Sequence, residues 1–301
     1  MRIGAIDIGT NSMRLLIADL IDNEIVNQSK YINTTRMGQD VDSNGIISKE
    51  AIDRNIKALK EFYNKAKEER CQEIYCIGTS ALRDAKNGND FVNRAKIDIG
   101  IDIEIISGKK ESLLGFRGVL KGIKEKENIL VIDIGGGSTE FILGSYDKIL
   151  FARSENIGAL RMTEKFIQND PVKKEELLEI EVFTKKIIKD IKDYLKDKKI
   201  DKVVGIGGTM TSISAMNQEL EVYSMDKVHN SKVELKDIDN ILQKLIYMTL
   251  NDKKTLKGLQ AKRADIITAG VKILEIIVNE LEIDQITISE YDNLEGLVCK
   301  N

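Results

Sequence analysis

The chain has 301 residues, and one hydrophobic core usually stops growing at or below this length, so we expect two domains. A hydrophobic fraction of 42%, with 46 basic and 49 acidic residues, excludes a disordered chain, and the net charge of −3 argues against a general nucleic-acid binder. The 3 cysteines and 1 histidine are too few for a disulfide framework or a zinc site.

The first part of the chain alternates strand and helix signals. Apolar runs broken by turn residues predict strands, apolar residues at helical spacing predict helices, and Ser48 is the predicted N-cap of a long helix. In chain order, the predicted elements are strands Arg2–Asp7, Met13–Asp19 and Glu24–Tyr31, helix Ser48–Arg70, strand Glu73–Gly78, helix Asp90–Ile99, strand Ile103–Ile106 and helix Lys109–Leu120.

The same order of elements begins again after the Lys/Glu-rich stretch Lys121–Glu127, which predicts two similar domains, residues 1–123 and 124–301. Asp170 and Pro171 are the predicted N-cap and first residue of a long helix. In chain order, the elements are strands Asn128–Asp133, Ser138–Ser145 and Lys148–Glu155, helices Ala159–Gln168 and Pro171–Lys196, strand Lys202–Ile206, helices Thr209–Met216, Lys236–Met248 and Arg263–Leu281, and strand Gln285–Ser289.

The ends and the apolar runs of the chain bear on where the protein acts. The first strand pattern begins at the N-terminus with no signal peptide before it, and no apolar run approaches the roughly 20 residues that span a bilayer. The sequence therefore predicts a cytoplasmic protein with no membrane partner and no nucleic-acid partner.

The restart is also visible as a repeated turn. Ile6–Ser12 reads IDIGTNS, and Ile132–Ser138 reads IDIGGGS, so in each copy an aspartate near the end of a strand precedes a turn of small residues. Such a turn can aim backbone N–H groups at an anion, and an aspartate at its edge can hold a divalent cation or its waters. Two copies, one per domain, predict two phosphate loops that face each other across a cleft.

Two further loops join a strand to a helix. Gly205–Thr211 is rich in glycine and can present a helix N-terminus to phosphate, whereas Gly78–Arg83 has the same placement and adds a guanidinium group. Either loop alone is also typical of a plain tight turn. No Walker A sequence is present, so the chemistry of P-loop proteins is not indicated.

Three acids accompany these loops. Asp133 and Glu140 flank the second copy of the turn, and strand alternation places Ser138 and Glu140 on one face. Glu111 lies in the first turn of a predicted helix, where a carboxylate can simply favour the helix dipole or can act as a general base that activates water. Phosphoryl transfer needs a positioned water, a metal and cations, and these residues supply such a set.

The motifs together resemble the Ppx/GppA phosphatases, a family of exopolyphosphatases and guanosine pentaphosphate phosphohydrolases. The resemblance implies an α/β fold of two actin-like (ribonuclease H-like, ASKHA superfamily) domains with a cleft between them, dependence on Mg²⁺ or Mn²⁺, release of a terminal phosphate, and a homodimer. The segments that carry it follow the family's order: Ile6–Leu15, Gly78–Ala85, Val131–Glu140, Gly207–Thr209 and Arg263–Ile267.

By this resemblance, Glu111, Glu140 and Asp133 are the candidate catalytic residues, and Asp133 and Asp7 are the candidate metal ligands. The candidate phosphate-binding residues are Gly9, Thr10, Asn11, Ser12, Arg14, Thr79, Ser80, Arg83, Gly135, Gly136, Gly137, Ser138, Gly207, Gly208 and Thr209.

The chain departs from the family pattern at two places. The family's Gly-x-Glu-Glu-Ala carries its catalytic glutamate, and here Lys110 stands in place of the first glutamate. The family's Gly-Leu-Arg-Glu-Gly appears as Asp292–Gly296, which lacks the arginine. The preferred substrate is polyphosphate and the alternative is guanosine pentaphosphate, while a kinase of the same superfamily and a non-catalytic filament-forming relative are further alternatives.

Overall fold

The computed structural model describes residues 1–123, 127–146 and 148–299. The chain divides into two compact units: the first comprises Met1–Lys124 with Tyr291–Asn301, and the second comprises Glu125–Glu290. The predicted division instead kept all residues after 123 together. The structure assigns the C-terminal segment to the first unit because its helix packs against elements of that unit.

The first unit contains a mixed sheet, and its described strands lie in the order β3-β2-β1-β4-β5. The first three strands form an antiparallel meander, and β4 and β5 continue from β1 in parallel. The strands are β1 Arg2–Ile8, β2 Met13–Ile21, β3 Glu24–Asn33, β4 Glu73–Gly78 and β5 Glu104–Ile105.

Helices cover both faces of this sheet. One apolar cluster includes Ile6, Leu15 and Leu59, and a second includes Ile3, Leu16 and Leu294, so alternate residues of β1 and β2 point to opposite faces. The helices are α1 Val41–Asn44, α2 Lys49–Glu68, α3 Ser80–Asp84, α4 Gly88–Ile99, α5 Gly108–Gly122 and, from the C-terminus, α13 Asn293–Val298.

The second unit repeats this plan. Its described strands lie in the order β10-β11-β9-β6-β7-β8, with β6, β7 and β8 as the antiparallel meander and β9 and β11 continuing from β6 in parallel. The strands are β6 Ile129–Ile134, β7 Thr139–Ser145, β8 Lys148–Glu155, β9 Lys202–Ile206, β10 Lys232–Glu234 and β11 Gln285–Ile288.

The helices of the second unit pack on a core that includes Ile132, Met210 and Ile273. One turn of 3-10 helix, Ala261–Arg263, precedes the most apolar helix. The α-helices are α6 Ala159–Phe166, α7 Lys174–Leu195, α8 Gly207–Asn217, α9 Met225–Val228, α10 Leu235–Ile246, α11 Leu250–Lys253 and α12 Ile267–Glu280.

The α/β fold class and the duplicated actin-like plan are confirmed, as is the N-cap role of Ser48, whose side chain accepts a hydrogen bond from the backbone N–H of Ala51. The predicted helix start at Asp170 and Pro171 is wrong. Helix α7 begins at Lys174, and the carboxylate of Asp170 accepts the backbone N–H of Leu250 at 2.8 Å, so Asp170 serves the start of α11.

The predicted elements also differ from the observed ones in extent. Helix α12 begins at Ile267 rather than at Arg263, because Arg263 ends the separate 3-10 turn. Short elements without a clear periodic pattern, such as β10 and α13, were not predicted. Among the described residues, no helix is both long and apolar enough to cross a membrane.

Candidate active site

The turn Gly9–Ser12, referred to as the first turn, joins β1 to β2. It is closed by a hydrogen bond from the N–H of Gly9 to the carbonyl of Ser12 at 3.1 Å. The carbonyls of Thr10 and Asn11 accept the N–H groups of Gly38 and Arg36, each at 2.9 Å. No described residue accepts a hydrogen bond from the backbone N–H groups of Thr10, Asn11 and Ser12.

The turn Gly135–Ser138, referred to as the second turn, joins β6 to β7 and repeats this arrangement. The N–H of Gly135 donates to the carbonyl of Ser138 at 3.0 Å. The carbonyls of Gly135 and Gly136 accept N–H groups from the start of α6, whose Arg161 also donates through Nε to the carbonyl of Gly137 at 2.7 Å. Within the described chain, the N–H groups of Gly136, Gly137 and Ser138 have no acceptor.

In the first turn three of the four carbonyl groups accept hydrogen bonds within the protein, and in the second turn all four do. In both turns three successive N–H groups are left for another partner. A buried N–H group without an acceptor is costly, and consecutive N–H groups of this kind form the concave nests that bind anions. The arrangement of the candidate phosphate-binding residues in each turn fits that role.

The residues that flank the two turns occupy equivalent places. Asp7 lies opposite Arg14 in the β1–β2 register, and Asp133 lies opposite Glu140 in the β6–β7 register. Directly opposed residues of antiparallel strands share a face of the sheet and lie within side-chain reach. The first hairpin thus opposes an acid with a cation, and the second opposes an acid with another acid.

In the first unit, the guanidinium group of Arg14 donates to the carboxylates of both Asp7 and Asp292. Burial raises the pKa of Asp7, although Arg14 acts in the opposite direction. Burial acts on Asp292 in the same way, but the charges of Arg14 and Lys30 outweigh it and hold the pKa of Asp292 below its ordinary value. Arg14 is therefore already engaged by two carboxylates, and its contact with Asp292 is the one that the sequence did not indicate.

Glu111 lies in the first turn of α5 and is buried. Its Oε2 accepts a hydrogen bond from Nη1 of Arg83 at 3.0 Å, and the same nitrogen donates to the carbonyl of Ile106 at 3.1 Å. Burial raises the pKa of Glu111 to about 7, against the opposing effect of Arg83. A carboxylate with a pKa near neutrality is suited to take a proton from water, because it is substantially ionised yet basic.

Two other features of the first unit bear on Glu111. Lys110, which replaces an acid of the family pattern, forms an ion pair with Glu104 on the surface. The loop residues Thr79 and Ser80 are buried, and the N–H of Thr79 donates to the carbonyl of Ile8 at 3.2 Å, which places this loop beside the end of β1. The structure thus brings Thr79, Arg83 and Glu111 into one neighbourhood.

In the second unit, α8 begins directly after β9 with Gly207 and Gly208. Gly207 has φ of 86°, and a Cβ atom at this position would lie 2.3 Å from Oδ1 of Asp133, so the aspartate occupies the space that a side chain would need. No side chain of the described residues caps the start of α8, and Thr209 in this turn is buried. The helix start and Asp133 therefore belong to the same site.

Arg263 was not among the predicted site residues. A Cβ atom on Gly208 would lie 2.1 Å from Nη1 of Arg263, so the guanidinium group lies directly against the start of α8. The sequence signal was present in the segment Arg263–Ile267, but the predicted helix included Arg263 and gave no reason to place it at the glycine loop. Arg161, at the second turn, was missed for the same reason.

Glu140 accepts hydrogen bonds through Oε1 from the hydroxyls of Ser138 at 2.7 Å and Ser154 at 2.6 Å. The predicted pairing of Ser138 and Glu140 on one face is therefore confirmed. In the first unit, Oδ1 of Asp7 and Oδ1 of Asn11 are buried, and no described residue donates a hydrogen bond to them.

A divalent cation was expected at Asp133 and Asp7. Among the described residues, no group of three or more His, Cys, Asp or Glu side chains has the arrangement of a metal site. Mg²⁺ does not require one, since it is commonly held by one or two carboxylates together with waters and substrate phosphates. On the second hairpin, the opposed acids Asp133 and Glu140 fit such a cation. On the first hairpin, Oδ1 of Asp7, which is buried and accepts no hydrogen bond from a described residue, also fits one.

A comparison with protein families matches residues 17–301 to the model of the Ppx/GppA phosphatase family. The chain belongs to this family. Membership in the family makes the chain a phosphoanhydride hydrolase and sets aside the kinase and the non-catalytic alternatives.

Individual relatives support this assignment. The chain is 37% identical over 98% of its length to the bifunctional 3-dehydroquinate synthase/phosphatase of Fusobacterium nucleatum, of which it covers 46%. It is 33% identical to exopolyphosphatase 2 of Mycobacterium tuberculosis, with 98% of this chain and 97% of that protein covered. The chain thus spans less than half of the first relative and nearly all of the second.

Solved structures give the same result. A crystal structure of an exopolyphosphatase from Cytophaga hutchinsonii matches with a TM-score of 0.92 and 28% identity, covering 99% of this chain and 96% of that chain. The Ppx/GppA family member of Aquifex aeolicus matches with a TM-score of 0.83 and 28% identity, covering 100% and 97%. The two-domain actin-like fold is shared with these proteins.

Proposed function

We propose that this protein is an exopolyphosphatase that hydrolyses the terminal phosphoanhydride bond of inorganic polyphosphate and releases orthophosphate. The observation that carries the proposal is the environment of Glu111. This buried carboxylate has its pKa raised to about 7, and it accepts a hydrogen bond from Arg83 of the loop Gly78–Arg83. The names of the relatives from M. tuberculosis and C. hutchinsonii point to the same substrate.

Glu111 acts as the general base in this proposal. A water oxygen attacks the terminal phosphorus, its proton passes to the carboxylate of Glu111, and the bond between phosphorus and the bridging oxygen breaks. The hydrogen bond from Arg83 fixes the orientation of Glu111. The leaving group is the shortened polyphosphate chain, which carries the electron pair of the broken bond.

The N–H groups of the two turns and the guanidinium groups bind phosphate oxygens. Three consecutive N–H groups per turn offer directed donors, while Arg14 and Arg83 add charge and fork geometry suited to phosphate. These groups stabilise the negative charge that spreads over the phosphate oxygens in the transition state.

We further propose that Mg²⁺, or Mn²⁺ in its place, is held by Asp133 with Glu140 and by Asp7. When bound, the cation neutralises charge on the phosphate oxygens. The residues themselves supply oxygen ligands on each of the two hairpins, and the hydroxyls of Ser138 and Ser154 fix the orientation of Glu140.

The test is an assay of released orthophosphate with three substrates: long-chain polyphosphate, guanosine pentaphosphate and ATP, each with and without Mg²⁺. We expect polyphosphate to have the highest kcat/KM and no orthophosphate to be released in the presence of EDTA. A higher kcat/KM for guanosine pentaphosphate would assign the alternative substrate. Release of phosphate in the presence of EDTA would exclude a requirement for the metal. A homodimer, also proposed from the resemblance, is measured by sedimentation equilibrium of the same sample.

A further inference from the structure

Asp292 contacts the predicted phosphate-binding residue Arg14, yet the family pattern has glycine at this position. The aspartate is buried, and its Oδ2 accepts a hydrogen bond from Nη1 of Arg14. Its Oδ1 accepts the backbone N–H of Leu294 at 3.0 Å, so one carboxylate both caps α13 and holds the guanidinium group.

The position of Asp292 is fixed by close contact between α13 and α5. A Cβ atom on Gly118 of α5 would lie 1.8 Å from the carbonyl oxygen of Asp292, and a Cβ atom on Gly296 would lie 1.9 Å from the carbonyl oxygen of Leu114. Two glycines thus allow the two helix backbones to touch. Because Glu111 lies on α5, Asp292 is attached to the helix that carries the proposed base.

A second ion pair secures the same segment. Oε2 of Glu295 accepts the N–H of Asp292 at 2.8 Å, and its Oε1 lies 2.7 Å from Nζ of Lys30 on β3. Glu295 is fully buried, so loss of Lys30 would leave an uncompensated carboxylate. The segment is therefore anchored to β2 by Asp292 and to β3 by Glu295, and Asp292 has little freedom to leave Arg14.

We propose that Asp292 is a positioning residue that holds Arg14 beside Asp7 and weakens the affinity of this guanidinium group for phosphate. The inference rests on the proposed function, in which Arg14 binds a substrate phosphate. With Asp7 on one side and Asp292 on the other, the positive charge of Arg14 is opposed by two negative charges.

The physical consequence is competition between anions. A phosphate that approaches Arg14 meets the repulsion of a fixed carboxylate, and it must share the guanidinium donors with that carboxylate. Weaker binding applies to orthophosphate as well as to the substrate, since both bind through the same oxygens. Asp292 thereby shortens the time for which the product phosphate stays bound. We expect removal of its carboxylate to raise the affinity for phosphate and to lower kcat.

The first experiment uses Asp292→Asn and Asp292→Gly in the full chain. Asparagine keeps an oxygen for the N–H of Leu294 and so keeps the helix cap, while glycine restores the family residue and is also an accepted cap. We expect both variants to bind inorganic phosphate roughly three- to tenfold more tightly by isothermal titration calorimetry, and to show lower KM for polyphosphate with lower kcat.

Asp98→Asn is the matched control, because Asp98 also pairs with an arginine, Arg94, at 3.2 Å, but on an exposed helix surface. It should leave phosphate affinity and KM unchanged. A gain in affinity cannot arise from partial unfolding, so the expected result separates a positioning role from a structural one even if the variants melt at lower temperature.

The second experiment combines Asp292→Asn with Arg14→Gln. If Asp292 acts through Arg14, the gain in phosphate affinity disappears in the Arg14→Gln background. Unchanged or weaker phosphate binding in both single variants at Asp292 overturns the inference. If instead the parent binds phosphate but releases none from polyphosphate, the proposed function fails while the phosphate titration still decides the role of Asp292.

Discussion

The two hairpins that carry the first turn and the second turn share one backbone design but differ in charge. In each, the turn is closed by a hydrogen bond between its first and fourth residues, and the same three N–H positions are left for a ligand. At the equivalent place on the outgoing strand, however, the first hairpin has Arg14 opposite Asp7, and the second has Glu140 opposite Asp133.

This difference in charge leads us to expect different roles for the two hairpins. An acid that faces an arginine is largely neutralised within the protein, whereas two acids that face each other favour a bound cation. We therefore expect the second hairpin to contribute more to metal binding and the first to contribute more to phosphate binding and to the proton transfer at Glu111.

Glu111→Gln should reduce kcat for polyphosphate by roughly 10²–10⁴, because an amide cannot accept the proton from water. The structure of the helix start should survive, since Ser107 still caps α5. Measured by phosphate release, the loss should not respond to added Mg²⁺. Glu104→Gln on the nearby surface is the control and should keep parental activity.

If Glu140 of the second unit were the base instead, Glu140→Gln would carry the larger loss and Glu111→Gln would be nearly silent. The roles expected for the two hairpins predict the opposite: the Glu140→Gln enzyme should recover part of its activity at high Mg²⁺. Two results together would reverse the assignment of the two hairpins. The first is a Glu140→Gln enzyme whose activity does not recover at any Mg²⁺ concentration, and the second is a Glu111→Gln enzyme with near-parental kcat.

The pH dependence of kcat in the parent enzyme reports the ionisation of Glu111. Because burial raises the pKa of Glu111 to about 7, kcat should reach half its plateau near that pH and fall roughly tenfold for each unit below it. The sign follows from the base role, which needs the ionised carboxylate. An acid limb that stays near pH 7 in the Glu111→Gln variant would assign this ionisation to another group.

The metal prediction compares the two aspartates directly. Asp133→Asn should raise the Mg²⁺ concentration needed for half-maximal rate by roughly 10- to 100-fold, and Asp7→Asn should raise it less, because Asp7 already has Arg14 as a partner. Activity measured over a Mg²⁺ titration with each variant gives both values. Equal shifts would show that Asp7 and Asp133 contribute equally to the requirement for Mg²⁺, which would contradict the expected difference between the hairpins.

The comparison also shows how far the sequence could go. The repeated IDIG letters predicted the duplicated fold and both turns, since strand ends and glycine turns are local signals. The pairing of Asp7 with Arg14 follows from their seven-residue spacing around a tight turn, and Glu140 is related to Asp133 in the same way. None of this required contacts that are distant in the chain.

The contacts that were missed are all distant in sequence. Asp292 reaches Arg14 across 278 positions, and Arg263 reaches Gly208 from a short 3-10 turn that the periodic pattern merged into a helix. Helix α13 has only six residues, too few for a periodic signal. For this reason the segment after Glu290 was placed in the second domain, although it packs in the first unit.

The arginines provide a smaller test of the roles expected for the two hairpins. Arg14→Lys and Arg83→Lys should each raise KM for long polyphosphate roughly five- to tenfold, since a lysine does not reproduce the fork geometry for phosphate oxygens. Arg14→Lys should also lower the melting temperature, because Arg14 joins the buried carboxylates of Asp7 and Asp292. Parental KM in a folded Arg14→Lys enzyme would make this arginine purely structural.

The smallest effect concerns stability and again separates Glu111 from its neighbours. Burial raises the pKa of Glu111 from its ordinary value of 4.5 to about 7, so the native state holds this proton more tightly than the unfolded chain does. The contribution of the group to stability is therefore complete below pH 4.5 and is lost as the pH rises through about 7.

Glu111→Gln removes this titration. The free energy of unfolding of the parent, relative to that of the variant, should fall by on the order of 2 kcal/mol between these limits, measured by urea unfolding at several pH values. Glu104→Gln, at an exposed site, should show no such pH-dependent difference from the parent. A difference between parent and Glu111→Gln that stays constant with pH would mean that Glu111 is ionised throughout this range, and its role as a base tuned to neutral pH would fail with it.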